Sequence, residues 1–136
     1  MPTVRVAQIS DTHLGATRAS GPIPPDHALE ATVRALLPLR PDLVLLTGDL
    51  TDGGDDASFR RVAELIEPLR APVLAVAGNH DLPQPLRARF GGESERIVDA
   101  WRILTIETFV DGQIHGAVDL DAVLRRLGHD EGRPTL

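Results

Sequence analysis

Three short apolar runs punctuate the first part of the chain: Val4 to Ile9, Leu43 to Leu46 and Val73 to Ala77. Each has the length and branched-aliphatic content of a buried strand. Between them the hydrophobic period changes. Leu29, Val33, Leu36 and Leu37 fall at helical spacing, which predicts a helix from Pro25-Asp26 to about Leu37, ended by Pro38 and Pro41. Phe59, Val62, Leu65, Ile66 and Leu69 form a second apolar stripe, on a helix capped by Asp56 or Ser58 and closed by Pro68 and Pro72. A β-α-β-α-β order of this kind predicts an α/β fold: a parallel sheet with right-handed crossovers and helices packed against it.

After Asp81 the pattern is weaker. Pro83 to Phe90 reads as a short helix. Arg96 to Ala100 and Arg102 to Thr108 read as a β-hairpin around Asp99-Ala100-Trp101, and Asp111-Gly112 as a turn. Asp119 is placed to cap a last helix that runs to Leu127 and stops at Gly128, with Arg125-Arg126 on its exposed face. His129 to Leu136 is a polar tail. The segment Leu14 to Pro25 is long for a connection between a strand and a helix, and long loops are often functional.

With 136 residues, positions 1–136 form one domain with a hydrophobic core. The formal net charge of −6 opposes a nonspecific grip on nucleic acid or on an anionic membrane. One Trp, three Phe and no Tyr give little surface for base stacking. No stretch approaches the roughly 20 apolar residues of a membrane span, and the N-terminus does not read as a signal peptide. The absence of Cys excludes thiolate ligands and disulfides and fits a cytoplasmic location.

The chemistry gathers at the ends of the three apolar runs. Asp11-Thr12-His13 follows the first, Gly48-Asp49-Leu50-Thr51-Asp52 the second and Gly78-Asn79-His80-Asp81 the third. Ligand sites of open α/β sheets lie outside the carboxyl ends of the strands, so these side chains are expected along one edge. Mixed carboxylate, amide and imidazole donors suit Mn, Fe, Zn or Co better than Ca or Mg. Two such ions about 3.5–4 Å apart can clamp a phosphoryl group. His80 is placed to protonate a leaving oxygen, with Asp81 orienting it and Asp52 supporting the ion ligands from behind. Any one motif is explained as well by a turn or a helix cap; the conjunction, in order and on strand ends, carries the reading.

Those motifs resemble the calcineurin-like metallophosphoesterases, which carry Asp-x-His, Gly-Asp-x-x-Asp and Gly-Asn-His-Asp or Glu in this order. The run Leu46–Asp52 followed by Gly53-Gly54-Asp55, and the loop Gly112-Gln113-Ile114-His115-Gly116, resemble the bacterial cyclic-nucleotide phosphodiesterases of that family. The resemblance implies the first half of a two-sheet sandwich and hydrolysis of phosphodiesters such as cyclic nucleotides at a two-metal site. It implies that Asp11, His13 and Asp49 hold one ion, that Asp49 and Asn79 contribute to a second, and that His115 lies on a substrate loop. The family pattern continues with a further histidine and a Gly-His-x-His motif that do not occur here, so the domain is expected to be truncated. The alternative reading is therefore a catalytically impaired form that binds metal weakly or acts only through assembly. Among the other histidines, His27 is expected at the surface and His129 near a frayed end.

The same resemblance leads to an expectation about assembly. Leu43–Leu46 and Val73–Ala77 are apolar on both faces, as in strands covered on both sides. With helices on one face only, the other face and an open strand edge would recruit a partner, and a homodimer is the expected solution.

Overall fold

The computed structural model describes residues 3–15, 22–92, 94–128 and 132–136. Strands β1 (Val6–Ile9), β2 (Leu43–Thr47) and β3 (Val73–Val76) form a parallel sheet in the order β1-β2-β3. Register pairs Val6 with Leu43 and Val44 with Val73, so the three carboxyl ends finish side by side. Helix α1 (Pro25–Leu36) and helix α2 (Asp56–Ile66) supply the crossovers. Each passes into a 3-10 turn, Leu37–Leu39 and Glu67–Leu69, in which proline lacks the N–H that a continuing helix needs. The expected β-α-β-α-β order is therefore present.

Side chains alternate along the strands and divide the sheet into two faces. Ala7, Ile9, Val44, Leu46, Ala75 and Ala77 point to one face and pack with Leu29 and Val33 of α1 and Phe59, Val62, Leu65 and Ile66 of α2. Leu43 and Leu74 point to the other face. They meet Ile103 and, at the margin, Val98. Those two residues belong to the antiparallel hairpin of β4 (Glu95–Val98) and β5 (Trp101–Leu104). The hairpin turns where the pattern placed it, with its second strand ending at Leu104 rather than Thr108. The hairpin buries Leu43 and Leu74 on the second face of the sheet, while Val6 and Leu45 stay half-buried and Gln8 exposed.

Helix α3 (Pro83–Phe90) buries Leu86, and helix α4 (Leu120–Gly128) begins on Asp119, whose carboxylate accepts from Ala122 N at 2.9 Å. The last helix is not simply a solvated face. Arg126 donates to the carbonyls of Thr105 and Ser94, both at 2.7 Å, and its own carbonyl accepts from the nearly buried Arg102 at 2.8 Å. Arg102 also holds both oxygens of Glu95, at 2.7 and 2.9 Å. The polar tail is structured in part: Thr135 bridges Arg102 in parallel, with Leu136 N on Arg102 O at 2.9 Å. His129 and most of the long loop after Leu14 lie outside the described residues.

Candidate active site

Beyond the strand ends, the loops continue the sheet. Asp11 N donates to Gly48 O, His13 N to Asp49 O and Leu14 N to Leu50 O, each at 3.0 Å. Asp52 N returns to Leu14 O at 2.9 Å, and Thr12 Oγ1 donates to Leu50 O at 2.7 Å. This backbone zipper fixes the first two motifs against each other. Within it Asp11, His13 and Asp49 have φ of 55°, 46° and 50°, in the left-handed region. Asp and His tolerate that region better than most residues, yet each such position still costs roughly 1–3 kcal/mol. The zipper overrides this cost, and in doing so it turns three donor side chains out of the sheet.

The third motif is tied in through two glycines and one aspartate. Gly48 has φ 90°, and a Cβ there would stand 2.9 Å from the backbone of Gly78. A Cβ on Gly78 would collide with Asp49 Oδ1 and Asp49 N. Only glycine at both positions allows β2 and β3 to leave the sheet this close together. Asp81 is 1% exposed and faces inward. Its carboxylate accepts from Thr51 N at 2.9 Å, Gly78 N and Thr51 Oγ1 at 3.0 Å, and Leu50 N at 3.2 Å. The expected partnership of Asp81 with His80 is replaced by this buried clamp. The carboxylate beside His80 is that of Asp52: Oδ1 lies 3.4 Å from His80 Nδ1 and 3.5 Å from His13 Nδ1.

Among the described residues, two groups of donors result. Asp11, His13 and Asp49 each offer an atom within 4.8 Å of the others, and so do His13, Asp52 and His80. His13 is shared: Nε2 is 3.9 Å from Asp49 Oδ2, while Nδ1 faces Asp52. Asp49 Oδ1 accepts from His80 N at 3.1 Å, which locks the second and third motifs in register. Two carboxylates and an imidazole this close together are a donor set for a divalent ion. Asn79 lines a cavity of about 140 Å³ with Thr108, Gln113 and His115, so the loop that carries His115 lies beside the third motif. His27 is exposed on α1 and belongs to neither group.

The profile of the calcineurin-like phosphoesterase family matches residues 4–130. The chain belongs to that family. Among its relatives is a probable cyclic nucleotide phosphodiesterase of Synechococcus, 36% identical and aligned over 98% of this chain and 56% of that protein. The 3',5'-cyclic adenosine monophosphate phosphodiesterase CpdA of Pseudomonas aeruginosa is 34% identical, over 91% of this chain and 49% of that protein. A cAMP/cGMP dual specificity phosphodiesterase of Mycobacterium tuberculosis is 35% identical, over 86% and 42%. The chain thus spans about half the length of the curated relatives it matches. TT1561 of Thermus thermophilus shares the fold with a TM-score of 0.66 at 15% identity, covering 98% of this chain and 66% of that one. The purple acid phosphatase PPD1 of yellow lupin seeds does so with a TM-score of 0.56 at 16% identity, covering 94% and 28%. No helix among the described residues is long and apolar enough to cross a membrane.

Proposed function

We propose that this chain is a metal-dependent phosphoesterase acting on small phosphodiesters, cyclic nucleotides among them. The observation that carries the reading is the convergence of Asp11, His13, Asp49, Asp52 and His80 from three separate strand ends onto one edge of one sheet. The names of the relatives support the substrate class. Divalent ions, one held by Asp11, His13 and Asp49 and a second reached by Asp49 and Asn79, would supply positive charge against the phosphoryl oxygens and acidify an attacking water. His80 then has the remaining task of giving a proton to the leaving oxygen. Asp52 stands beside Nδ1 of His80 at 3.4 Å, placed to orient the ring, and its other neighbour is the imidazole of His13. The cavity shared by Asn79 and His115 is the place for the nucleoside side of the substrate. The acidic net charge of −6 keeps polymeric nucleic acid from competing for the site.

The test is a leaving-group series with Mn present. His80→Ala is expected to lower the rate on an alkyl phosphodiester by about 10²–10⁴ and to spare substrates with a nitrophenolate leaving group. Equal losses across the series would remove the acid role. Metal binding without any turnover would favour the catalytically impaired alternative.

We also infer that two copies associate. Ile106, Leu127 and Leu136 line an apolar groove of about 160 Å³ between β5, α4 and the tail, and they are 39%, 43% and 62% exposed. With the second sheet face only partly under the hairpin, this groove adds to the surface offered to a second copy.

A further inference from the structure

We propose that His13, Asp52 and His80 form a cation site of their own, built for a single four-coordinate ion such as zinc, and that this ion competes with the Asp11–His13–Asp49 position for the imidazole of His13. The three side chains come from three different loops, after β1, β2 and β3, and one donor atom of each lies within 4.8 Å of the others. Asp52 Oδ1 stands 3.5 Å from His13 Nδ1 and 3.4 Å from His80 Nδ1. Charge-assisted hydrogen bonds would close to about 2.7–2.9 Å. A tetrahedral zinc ion, about 2.0–2.1 Å from nitrogen and about 2.0–2.2 Å from oxygen, separates its donors by roughly 3.3–3.5 Å. An octahedral ion with bonds of about 2.0–2.1 Å would draw adjacent donors to roughly 3.0 Å. The two separations from Asp52 Oδ1 thus have the length of a tetrahedron's edge, and the third, between the imidazoles, lies within 4.8 Å. The two rings stand edge to face, with centroids 4.8 Å apart and planes at 85°, so both Nδ1 atoms meet one carboxylate oxygen without stacking. With 33%, 41% and 42% of the three side chains exposed, an ion can enter and water can complete its shell.

Competition follows from the chemistry of imidazole. A neutral ring has one lone pair to give. When Nδ1 of His13 takes an ion beside Asp52, Nε2 carries the proton and is lost to Asp11 and Asp49. When Nε2 serves Asp11 and Asp49, Nδ1–H faces Asp52 as an ordinary donor. The functional consequence rests on the reading of His80 given above. An ion on Nδ1 leaves the ring at most one proton, on Nε2, so it is never an imidazolium and is a far weaker acid toward a leaving oxygen. Excess zinc is thereby inhibitory, whichever ion supports turnover.

The experiment uses zinc chloride alone. Imidazole ¹⁵N resonances of the parent chain are followed through a zinc titration, and zinc affinity is measured by calorimetry in Asp49→Asn and in that background with Asp52→Asn or His80→Ala. At saturating zinc, Nδ1 of His80 and of His13 should both move. In the Asp49→Asn background one equivalent of zinc should remain bound, and either added substitution should weaken it by at least ~10-fold. The proposal is overturned if zinc leaves His80 Nδ1 unmoved, or if both added substitutions leave the affinity within about twofold. The resonances of the parent chain decide the matter even where a variant does not fold. Neither readout depends on phosphodiester hydrolysis, so failure here is separable from failure of the phosphoesterase reading.

Discussion

At the scale of single residues, Asp81 shows how far a side chain's role can depart from its place in a motif. It follows His80 directly in sequence, and adjacency suggests a carboxylate that orients the imidazole. The turn at Asn79-His80 instead sends Asp81 inward, where it satisfies the buried N–H groups of Leu50, Thr51 and Gly78. Asp81→Ala should therefore cost on the order of 2–4 kcal/mol, since several buried donors lose their acceptor together. Asp81→Asn should recover part of that, limited by the amide NH₂ that would face the same donors. Urea unfolding measures both. Near-parental stability of the alanine variant would show that the clamp is dispensable. Asp52 is the reverse case. Its motif position marks it as support for the ion ligands, while the folded chain sets it between two imidazoles.

Among the elements, α2 illustrates a boundary that periodicity places to within a residue or so. The apolar stripe locates the helix, and the expected caps are Asp56 or Ser58. Asp55 is the cap: its carboxylate accepts from Ser58 N at 2.9 Å and Ser58 Oγ at 2.6 Å. These bonds, the one from the Ser58 hydroxyl first, hold the Asp55 carboxyl below its ordinary value of 3.8. A carboxyl depressed on folding stabilises the fold above its ordinary pKa, and that contribution is lost as pH falls through the lowered value. Asp55→Ala is expected to cost about 0.5–2 kcal/mol at neutral pH. The gap between parent and variant should narrow as the medium is acidified below 3.8. Thermal melts across that range check it, and a gap that widened in acid would contradict the assignment of the cap.

For the whole molecule, the decisive feature is that the two faces of the sheet are covered unequally from within the chain. Helices α1 and α2 cover one, and the hairpin covers the other in part, burying Leu43 and Leu74 against Ile103 while Val6 and Leu45 stay half-buried. Apolar surface persists elsewhere, in the groove of Ile106, Leu127 and Leu136. If that groove joins two copies, sedimentation velocity should show a concentration-dependent dimer, and Leu127→Asp should return it to a monomer without lowering the melting temperature. A parent chain that stays monomeric throughout the micromolar range would remove the proposal.

The three strands, the two crossover helices, the hairpin and the positions of the three motifs were legible in the sequence, because they rest on local periodicity and on breakers such as Pro38, Pro41, Pro68 and Pro72. Such signals are carried by neighbours in the chain and need no tertiary contact to be read. What the sequence could not specify was direction. The left-handed turns at Asp11, His13 and Asp49, the inward Asp81, the outward Asp52 and the pairing of Arg102 with Glu95 all depend on contacts between distant segments. The left-handed turns cost energy locally and persist only because the zipped loops and the Gly48–Gly78 contact leave the backbone no easier path. The set of candidate donors was thus written in the chain, while their grouping around two points was decided by packing.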